Sequence, residues 1–200
     1  MNYTYSSYMI LAFADGGARP NPGDAAYGFV IYDTNKQLPT YESTVKNLPN
    51  ELLYKKFVES LPKEDIVFTR GEVISIEGTN NDAEWRGALE ALKYVYYRYN
   101  NTQEVVLLMD SSLVVGSINE DWVTTSNNHA IMRYNINLLK NKFPKFTCNW
   151  IRREQNSYAD AMANKALDLQ AENRDSTKDY LMQLPKNKRC LNFIDSDCLI

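Results

Sequence analysis

The sequence predicts an α/β fold built on a mixed five-stranded sheet that is flanked by helices. Five apolar, β-rich segments recur along the chain; the first three are separated by no long helix, and the last two each follow a helical segment. The first three strands are therefore expected to form an antiparallel meander, and the last two to be added in parallel through helices. A chain of 200 residues with 44% hydrophobic content can bury the core that such a sheet requires.

The first three strands are predicted from apolar runs that end at turn residues. Residues 8–13 form the first strand, which is expected to end at Asp15, and the following ARPNPGDA is expected to be a tight loop. Residues 27–32 form the second strand, so the two make an antiparallel hairpin. Residues 66–76 form the third strand, in which Gly71 is expected to mark a bulge or a bend.

The connection at about residues 39–65 lacks the continuous apolar, β-rich pattern of the strands on either side. After Pro49 and Asn50, apolar residues recur at helical spacing until Pro62 ends the pattern. These apolar residues are Leu52, Leu53, Phe57, Val58 and Leu61. We interpret this segment as a helical insertion between two strands.

Two later helices begin with an acidic residue that has two interpretations. Glu84 lies three residues after Asn81 in the long helix that follows the third strand, and Asp160 lies three residues after Ser157 in the last helix. This spacing is typical of a capping box, in which the acid hydrogen-bonds the backbone at the start of its own helix. Each carboxylate is therefore a candidate for helix capping and also for a functional site.

Asp110 ends the most apolar strand of the sequence. Residues 105–109 are continuously aliphatic, which is typical of a buried strand, and Ser111 or Ser112 then offers an N-cap for a helical segment. Ligands of α/β sheets gather at the carboxyl ends of the strands, so Asp15 and Asp110 are expected to meet there, joined by Glu84 and Asp160. Four carboxylates packed together repel one another unless cations neutralise them, and Mg²⁺ and Mn²⁺ prefer such oxygen ligands.

Composition and charge exclude several classes of binding site and location for this protein. The net charge of −3 excludes a general electrostatic attraction to nucleic acid, so binding of a polyanion requires local basic patches. The three widely spaced cysteines and the single histidine support neither a disulfide framework nor a zinc site. No apolar run is long enough to span a membrane and the N-terminus lacks signal-peptide features, so we expect a soluble, intracellular, cytoplasmic protein.

We assign residues 1–170 to the main domain and residues 171–200 to a polar tail.

Four segments in this order resemble the signature segments of ribonuclease H, type 1. The segments are DGGARPNPG, TNNDAE, LLMDSSLVV and REQNSYADAMANKAL, and they span roughly residues 8–170. Each segment alone is common, whereas the four in order, each with its acid, are strongly specific. The resemblance implies a ribonuclease H-like fold and hydrolysis of the RNA strand of an RNA–DNA hybrid. It further implies two Mg²⁺ ions per site, with Mn²⁺ as the alternative metal, and products with 5′-phosphate and 3′-hydroxyl ends.

The resemblance also assigns roles to individual residues. The catalytic, metal-binding carboxylates fall on Asp15, Glu84, Asp110 and Asp160. The positions expected to contact the substrate are Gly16, Gly17, Asn21, Thr79, Asn80, Asn81, Ser112, Arg152, Arg153 and Asn156. Asparagine suits this role, because it can both donate to and accept from the 2′-hydroxyl that distinguishes RNA from DNA.

The sequence departs from the family pattern at several positions. The histidine usually found at the end of the fifth strand is Trp150 here, which predicts slower turnover, and a common glutamine is replaced by Ser112. His129 lies in a different segment and is expected to be a surface or helix-start residue. The basic handle of some bacterial members is absent, so Arg152 and Arg153 are the best candidates for phosphate contacts.

Two other functions are kept as alternatives. One is a nucleic-acid-binding module of the same fold that is weakly active or not catalytic, which the acidic overall charge and Trp150 favour. The other is a DNA-directed nuclease of the same superfamily, although the TNN segment favours the branch that cleaves hybrids. We expect a monomer, and the insertion or the tail is available to an unidentified protein partner.

Overall fold

The computed structural model describes residues 9–36, 38, 50–99, 103–120, 122–124 and 126–183. Its central element is a single five-stranded sheet with the strand order β3-β2-β1-β4-β5. The strands are β1 (Met9–Arg19), β2 (Gly23–Thr34), β3 (Ile66–Gly78), β4 (Glu104–Met109) and β5 (Phe146–Trp150). β1, β2 and β3 pair antiparallel, and β4 joins β1 in parallel, as β5 joins β4. The predicted mixed five-stranded sheet is confirmed.

Helices follow the strands in the predicted order. They are α1 (Asn50–Glu59), α2 (Asn80–Tyr99), α3 (Ser112–Asn119), α4 (Asn127–Lys140) and α5 (Ser157–Gln183). Short 3₁₀ turns cover Lys63–Asp65 and Arg153–Gln155. The helix predicted in the insertion is therefore present as α1, whereas residues 39–49 lie outside the described residues. Among the helices that the structure describes, none contains an apolar stretch of the length that spanning a bilayer requires.

The last helix is longer than the sequence pattern indicated. It continues past the predicted boundary at residue 170 to Gln183, because the polar segment that follows still consists mostly of residues with good helix propensity. The chain divides into two compact units, 1–167 and 168–200, and the contacts of α5 described below belong to the first unit. Residues 184–200 lie outside the described residues, so the predicted tail at 171–200 stays a prediction.

The two faces of the sheet bury different helices because side chains alternate along each strand. Ile10, Ala12 and Ala14 of β1 point to the face covered by α2. Leu11 and Phe13 point to the opposite face, where they pack with α1 and with the beginning of α5. The insertion thus completes one layer of the core.

The first strand does not end at Asp15, as the sequence predicted. Its antiparallel ladder with β2 runs from Met9 opposite Thr34 to Arg19 opposite Asp24, so the tight loop shrinks to residues 20–22. The parallel ladder with β4 ends earlier, at Phe13 opposite Leu108. Asp15 therefore pairs with β2 on one side of β1, whereas on the other side the ladder with β4 has already ended.

The predicted bulge at Gly71 is also wrong. Gly71 lies opposite Gly28 in a regular part of the β2–β3 ladder, and the register shifts fall elsewhere. A Cβ atom at either glycine would overlap the backbone of α5, at Met162 or at Ala159. These glycines allow α5 to approach the sheet closely. This contact explains why position 71 is a glycine, and the local sequence pattern could not reveal it.

Candidate active site

The start of α2, which carries Glu84, packs directly against β1 because the residue that it meets on the strand is Gly16. A Cβ atom at Gly16 would overlap the backbone of Ala83 and Glu84, so only glycine lets the first turn of α2 contact the strand here. Glu84 thereby comes next to Asp15, which is buried with 6% of its surface exposed. Local packing of the backbone, and not a charge interaction, brings these two like-charged side chains together.

The capping box of α2 involves a different pair from the one predicted. The Thr79 hydroxyl accepts a hydrogen bond from the backbone N–H of Asp82 at 3.1 Å, and the Asp82 carboxylate accepts one from the backbone N–H of Thr79 at 2.9 Å. The Asn81–Glu84 pair has the same spacing, but it lies one position beyond the actual start of the helix. The capping interpretation of Glu84 is therefore wrong, and its carboxylate is available to the site.

Ser111 holds Glu84 in place. Its hydroxyl donates to Glu84 Oε2 at 2.6 Å and also accepts from the backbone N–H of Val114 at 3.4 Å as the N-cap of α3. The sequence identified Ser111 only as a candidate cap. Burial raises the pKa of Glu84, an effect that the hydrogen bond from Ser111 opposes and the charge of Asp110 reinforces.

Asp110 is fixed from two directions at the end of β4. Asn156 Nδ2 donates to Asp110 Oδ1 at 2.7 Å and to the carbonyl oxygen of Ala14 at 2.9 Å, which ties β4 to β1. Trp150 Nε1 donates to the backbone carbonyl oxygen of Asp110 at 3.0 Å. Asn156 has no exposed surface and positions Asp110, and its predicted contact with the substrate stays a prediction.

Asp160 is held by side chains and not by the cap predicted for it. Its Oδ1 accepts from Arg153 at 3.0 Å and its Oδ2 accepts from Asn164 at 2.8 Å, one turn further along α5. The backbone N–H of Asp160 already donates to the carbonyl oxygen of Asn156 at 3.0 Å as part of the helix. The Ser157–Asp160 capping box is therefore wrong, because the preceding 3₁₀ turn shifts the start of the hydrogen-bonding pattern.

The four acids, which we call the acidic site, act on one another electrostatically. Burial raises the pKa of Asp15 to about 7; Asp110, Asp160 and Glu84 add to this shift, and the hydrogen bond from the Gly16 backbone opposes it. Carboxylates so coupled are stabilised by an added cation. Arg153, whose pKa is raised chiefly by Asp160 and then by Asp15, supplies one positive charge.

The donors of the acidic site are all carboxylate oxygens, which fit a hard cation such as Mg²⁺ or Mn²⁺. In the part of the chain that the structure describes, no group of three or more His, Cys, Asp or Glu side chains forms a compact metal-binding cluster. Glu84, Asp110 and Asp160 instead accept hydrogen bonds from Ser111, Asn156, Arg153 and Asn164. Metal binding would therefore exchange some of these donors for a cation.

The remaining predicted contact residues surround the acidic site at different depths. Asn80 Oδ1 accepts from the backbone N–H of Ala18 at 2.6 Å, and Asn21 Oδ1 accepts from the backbone N–H of Asn80 at 3.3 Å. The β1–β2 turn is thus joined to the start of α2. Exposed positions among the predicted contacts are Asn21, Asn81, Ser112, Arg152 and Arg153. Their contacts with a substrate stay a prediction.

His129 is more buried than the sequence suggested. It lies at the start of α4, as predicted, but only 12% of its side chain is exposed. Its Nε2 atom is 2.8 Å from Asp82 Oδ1, and its ring stacks on Trp85 with centroids 6.1 Å apart. His129 therefore joins α4 to the capped end of α2.

Comparison with known proteins places this architecture in a family. The model of the family described as "Reverse transcriptase-like" matches residues 62–166. A curated relative, the "Bifunctional protein Rv2228c" of Mycobacterium tuberculosis, is 28% identical over 163 residues, which are 82% of this chain and 36% of the relative. The chain thus spans about a third of the length of Rv2228c and of two other mycobacterial relatives that it matches equally well.

Solved structures agree with this match. The N-terminal RNase H domain of Rv2228c is 28% identical, with a TM-score of 0.63, and the match covers 84% of this chain and 99% of that one. LC11-RNase H1, solved in complex with an RNA/DNA hybrid, is 25% identical with a TM-score of 0.61, covering 81% and 99%. RNase H1 from the halophilic archaeon Halobacterium salinarum is 26% identical with a TM-score of 0.59, covering 80% and 98%.

The fold and the matches define an α/β protein of the ribonuclease H-like class. The chain belongs to the Reverse transcriptase-like family, and the solved structures it matches include type 1 ribonucleases H. The resemblance predicted from the four sequence segments is confirmed.

Proposed function

We propose that this protein is a divalent-metal-dependent endonuclease that hydrolyses the RNA strand of RNA–DNA hybrids and leaves 5′-phosphate and 3′-hydroxyl ends. The observation that carries the proposal is that Asp110, Asp160 and Glu84 lie near enough to Asp15 for their charges to add to the burial that raises its pKa, close to the point where the β1–β4 ladder ends. The similarity to ribonuclease H1 structures, one of them bound to a hybrid, supports the reaction class.

Asp15, Glu84, Asp110 and Asp160 would hold two Mg²⁺ ions, with Mn²⁺ as the alternative. When bound, such ions lower the pKa of water and neutralise the charge that develops on a phosphodiester during displacement. The chain contributes the positioning: Ser111 orients Glu84, and Asn156 and Trp150 fix Asp110. With these partners in place, the carboxylates need little reorganisation when the substrate arrives.

Substrate recognition would use the polar groups that border the acidic site. Asn21 and Asn80 lie where the β1–β2 turn meets α2, and asparagine side chains suit hydrogen bonds to the 2′-hydroxyl of RNA. The Arg153 guanidinium, 76% exposed along its side chain, can move from Asp160 to a phosphate when a cation neutralises that carboxylate. These roles would make recognition depend on both a ribose and a charged backbone near the site.

A second candidate function is a nucleic-acid-binding module with little or no catalysis. The Arg153–Asp160 ion pair and Trp150 at the end of β5 favour it, since the guanidinium competes with a cation and the indole cannot transfer a proton. In that case the basic and polar groups would bind the hybrid without cleaving it.

One assay distinguishes the two functions. Labelled RNA–DNA hybrid, single-stranded RNA, duplex RNA and duplex DNA are incubated with Mg²⁺, with Mn²⁺ or with EDTA, and the products are separated by size. We expect hybrid-specific cleavage that requires metal and falls by about a hundredfold or more in Asp110→Asn, which keeps the shape but removes the charge. The matched control is Glu104→Gln at the other end of β4, where Glu104 pairs with Lys145 at 2.7 Å.

The control variant should cleave as the wild type does. Hybrid binding without cleavage under either metal would overturn the nuclease and leave the binding module. Equal cleavage of duplex DNA and the hybrid would instead indicate a DNA-directed nuclease of the superfamily.

A further inference from the structure

Asp160 is connected to the end of β1 through a second side chain of its own helix. Asn164 lies one turn further along α5, and its Nδ2 atom donates to Asp160 Oδ2 at 2.8 Å. The Oδ1 atom of the same amide accepts a hydrogen bond from Arg19 Nη2 at 2.5 Å. We call these three side chains the Arg19 network. It joins residues that are 145 positions apart in the sequence, so it depends on the fold.

The two charged ends of the Arg19 network fix the orientation of the amide between them. A guanidinium can only donate hydrogen bonds and an ionised carboxylate can only accept them, whereas an amide has an accepting oxygen and a donating nitrogen. Only one orientation of Asn164 therefore satisfies both Arg19 and Asp160. An amide that is polarised by a cation at its oxygen is also the stronger donor at its nitrogen. Arg19 thus directs an N–H group of Asn164 at Asp160.

Packing of β1 against α5 brings Arg19 within reach of this helix. Gly17 lies two residues before Arg19, and a Cβ atom there would come within 3.9 Å of Leu167 Cδ1. The same stretch of β1 also contacts α2, where Asn80 Oδ1 accepts from the backbone N–H of Ala18 at 2.6 Å. The exposed guanidinium is therefore carried by a strand end that two helices hold in place.

The two oxygens of Asp160 have partners of different kinds. Arg153 donates to Oδ1 at 3.0 Å, and its side chain is 76% exposed. A cation that approaches Asp160 repels this guanidinium and competes for the same oxygen, so Arg153 is the partner that can be exchanged. Asn164 is neutral and can keep its hydrogen bond to Oδ2 meanwhile. Without Asn164, the carboxylate would be free to turn and accept from Arg153 with both oxygens.

We propose that Asn164 and Arg19 are positioning residues for the proposed metal site: they hold Asp160 Oδ2 and so keep the carboxylate turned with its other oxygen available to a divalent cation. This inference deepens the proposed function and rests on it, because Asp160 needs such positioning only as a metal ligand. Both residues act through Asp160. Removing a partner that orients a metal ligand typically lowers metal affinity about 10- to 100-fold.

Removing the charge of Arg19 distinguishes positioning from simple repulsion, because the two effects have opposite signs. A guanidinium near the four acids repels a divalent ion, so the loss of Arg19 as a mere charge would tighten metal binding. The loss of Arg19 as the partner of Asn164 frees the amide to turn and weakens metal binding. We expect about tenfold weaker binding in Asn164→Leu. The loss should be smaller in Arg19→Met, where the relief of repulsion offsets part of it.

The test measures binding of Mn²⁺ to the full chain without substrate, by electron paramagnetic resonance of the free ion. Leucine at position 164 keeps the approximate size of asparagine and suits a helix, but it cannot form a hydrogen bond. Arg19→Lys keeps a cationic donor and should retain most of the wild-type affinity. In the Asn164→Leu background, Arg19→Met should cause no further loss, because the Arg19 network is already broken.

The matched control is Arg98→Met, which removes the same charge from an exposed residue at the far end of α2, about 20 Å from Glu84 along the helix. It should leave the Mn²⁺ affinity unchanged. Thermal unfolding in EDTA identifies any variant that does not fold, and the other member of the Arg19–Asn164 pair then serves for the test.

Cleavage of the hybrid gives a second measurement. The metal concentration for half-maximal rate should rise about tenfold in Asn164→Leu, whereas kcat and the KM for the hybrid at saturating metal should not change. A general loss of structure would instead lower kcat at every metal concentration.

The outcomes separate this inference from the proposed function. Unchanged Mn²⁺ affinity and unchanged metal activation in Asn164→Leu, in a protein that cleaves the hybrid, overturn the inference and leave the nuclease intact. Tighter Mn²⁺ binding in Arg19→Met overturns the positioning role of Arg19. Weaker Mn²⁺ binding in both variants, in a protein that does not cleave the hybrid, supports the positioning of Asp160 and overturns the nuclease. A wild type that neither binds Mn²⁺ nor cleaves the hybrid overturns both.

Discussion

The first turns of α2 and α5 each deliver one carboxylate to the acidic site, but they hold it differently. Glu84 of α2 is placed by backbone contact with Gly16 and by the hydroxyl of Ser111. Asp160 of α5 is 31% exposed along its side chain and pairs with Arg153, which is 76% exposed. Packing leaves Glu84 little freedom, whereas an exposed ion pair is weak and readily exchanged. The site therefore has one rigid side and one adjustable side.

The largest effect that we expect is a pH dependence of stability that arises from Asp15. Glu84 at the start of α2 and Asp160 at the start of α5 both add to the burial that raises the pKa of Asp15. Its pKa is about 7 in the folded chain against 3.8 in the unfolded one, so the folded state binds the extra proton between these values. The free energy of unfolding of the metal-free protein should therefore fall as pH rises from 3.8 through about 7. The contribution of Asp15 to this fall is on the order of 4 kcal/mol.

Urea unfolding in EDTA across this pH range measures the effect, with Asp15→Asn as the comparison. The variant should lose this part of the pH dependence and be more stable than the wild type at neutral pH, and Mg²⁺ should stabilise only the wild type. Parallel pH profiles for the two proteins would show that Asp15 is not destabilised by its neighbours.

The second effect tests the rigid side. Gly16→Ala introduces a Cβ that overlaps the backbone of Ala83 and Glu84, so α2 must move away from β1. We expect a loss of about 3 kcal/mol in the free energy of unfolding. Gly17→Ala is the matched control, because its Cβ would meet only Leu167 Cδ1 at 3.9 Å. Urea midpoints that fall equally in both variants would disprove the close contact as the cause.

The smallest effect compares the capping of the two helices. Asp82→Ala removes the acceptor for the Thr79 backbone and the partner of His129, and should cost about 1 kcal/mol. Ser157→Ala should change stability by less than ~0.5 kcal/mol, since its hydroxyl makes no hydrogen bond among the described residues. Thermal unfolding of the two variants checks the difference. A larger loss for Ser157→Ala would restore the capping box that the structure does not show.

The capping predictions show where sequence reasoning stops. Thr79 with Asp82 and Asn81 with Glu84 have the same spacing, and both pairs suit a helix start. The contact of α2 with Gly16 decides between them, because it fixes where the helix begins relative to β1. Likewise, the local sequence around Gly71 predicts a bulge. The structure instead requires glycine there because the backbone of α5, which is remote in the sequence, packs against this position.

Periodicity and residue type alone determined the order of strands and helices, the helical insertion and the four acidic positions, because these depend on local patterns of burial. The tertiary structure decided which partner each acid has. Ser111 meets Glu84 from 27 residues away, and Asn156 meets Ala14 from 142 residues away. Such contacts follow from the packing of distant segments, which no local pattern encodes.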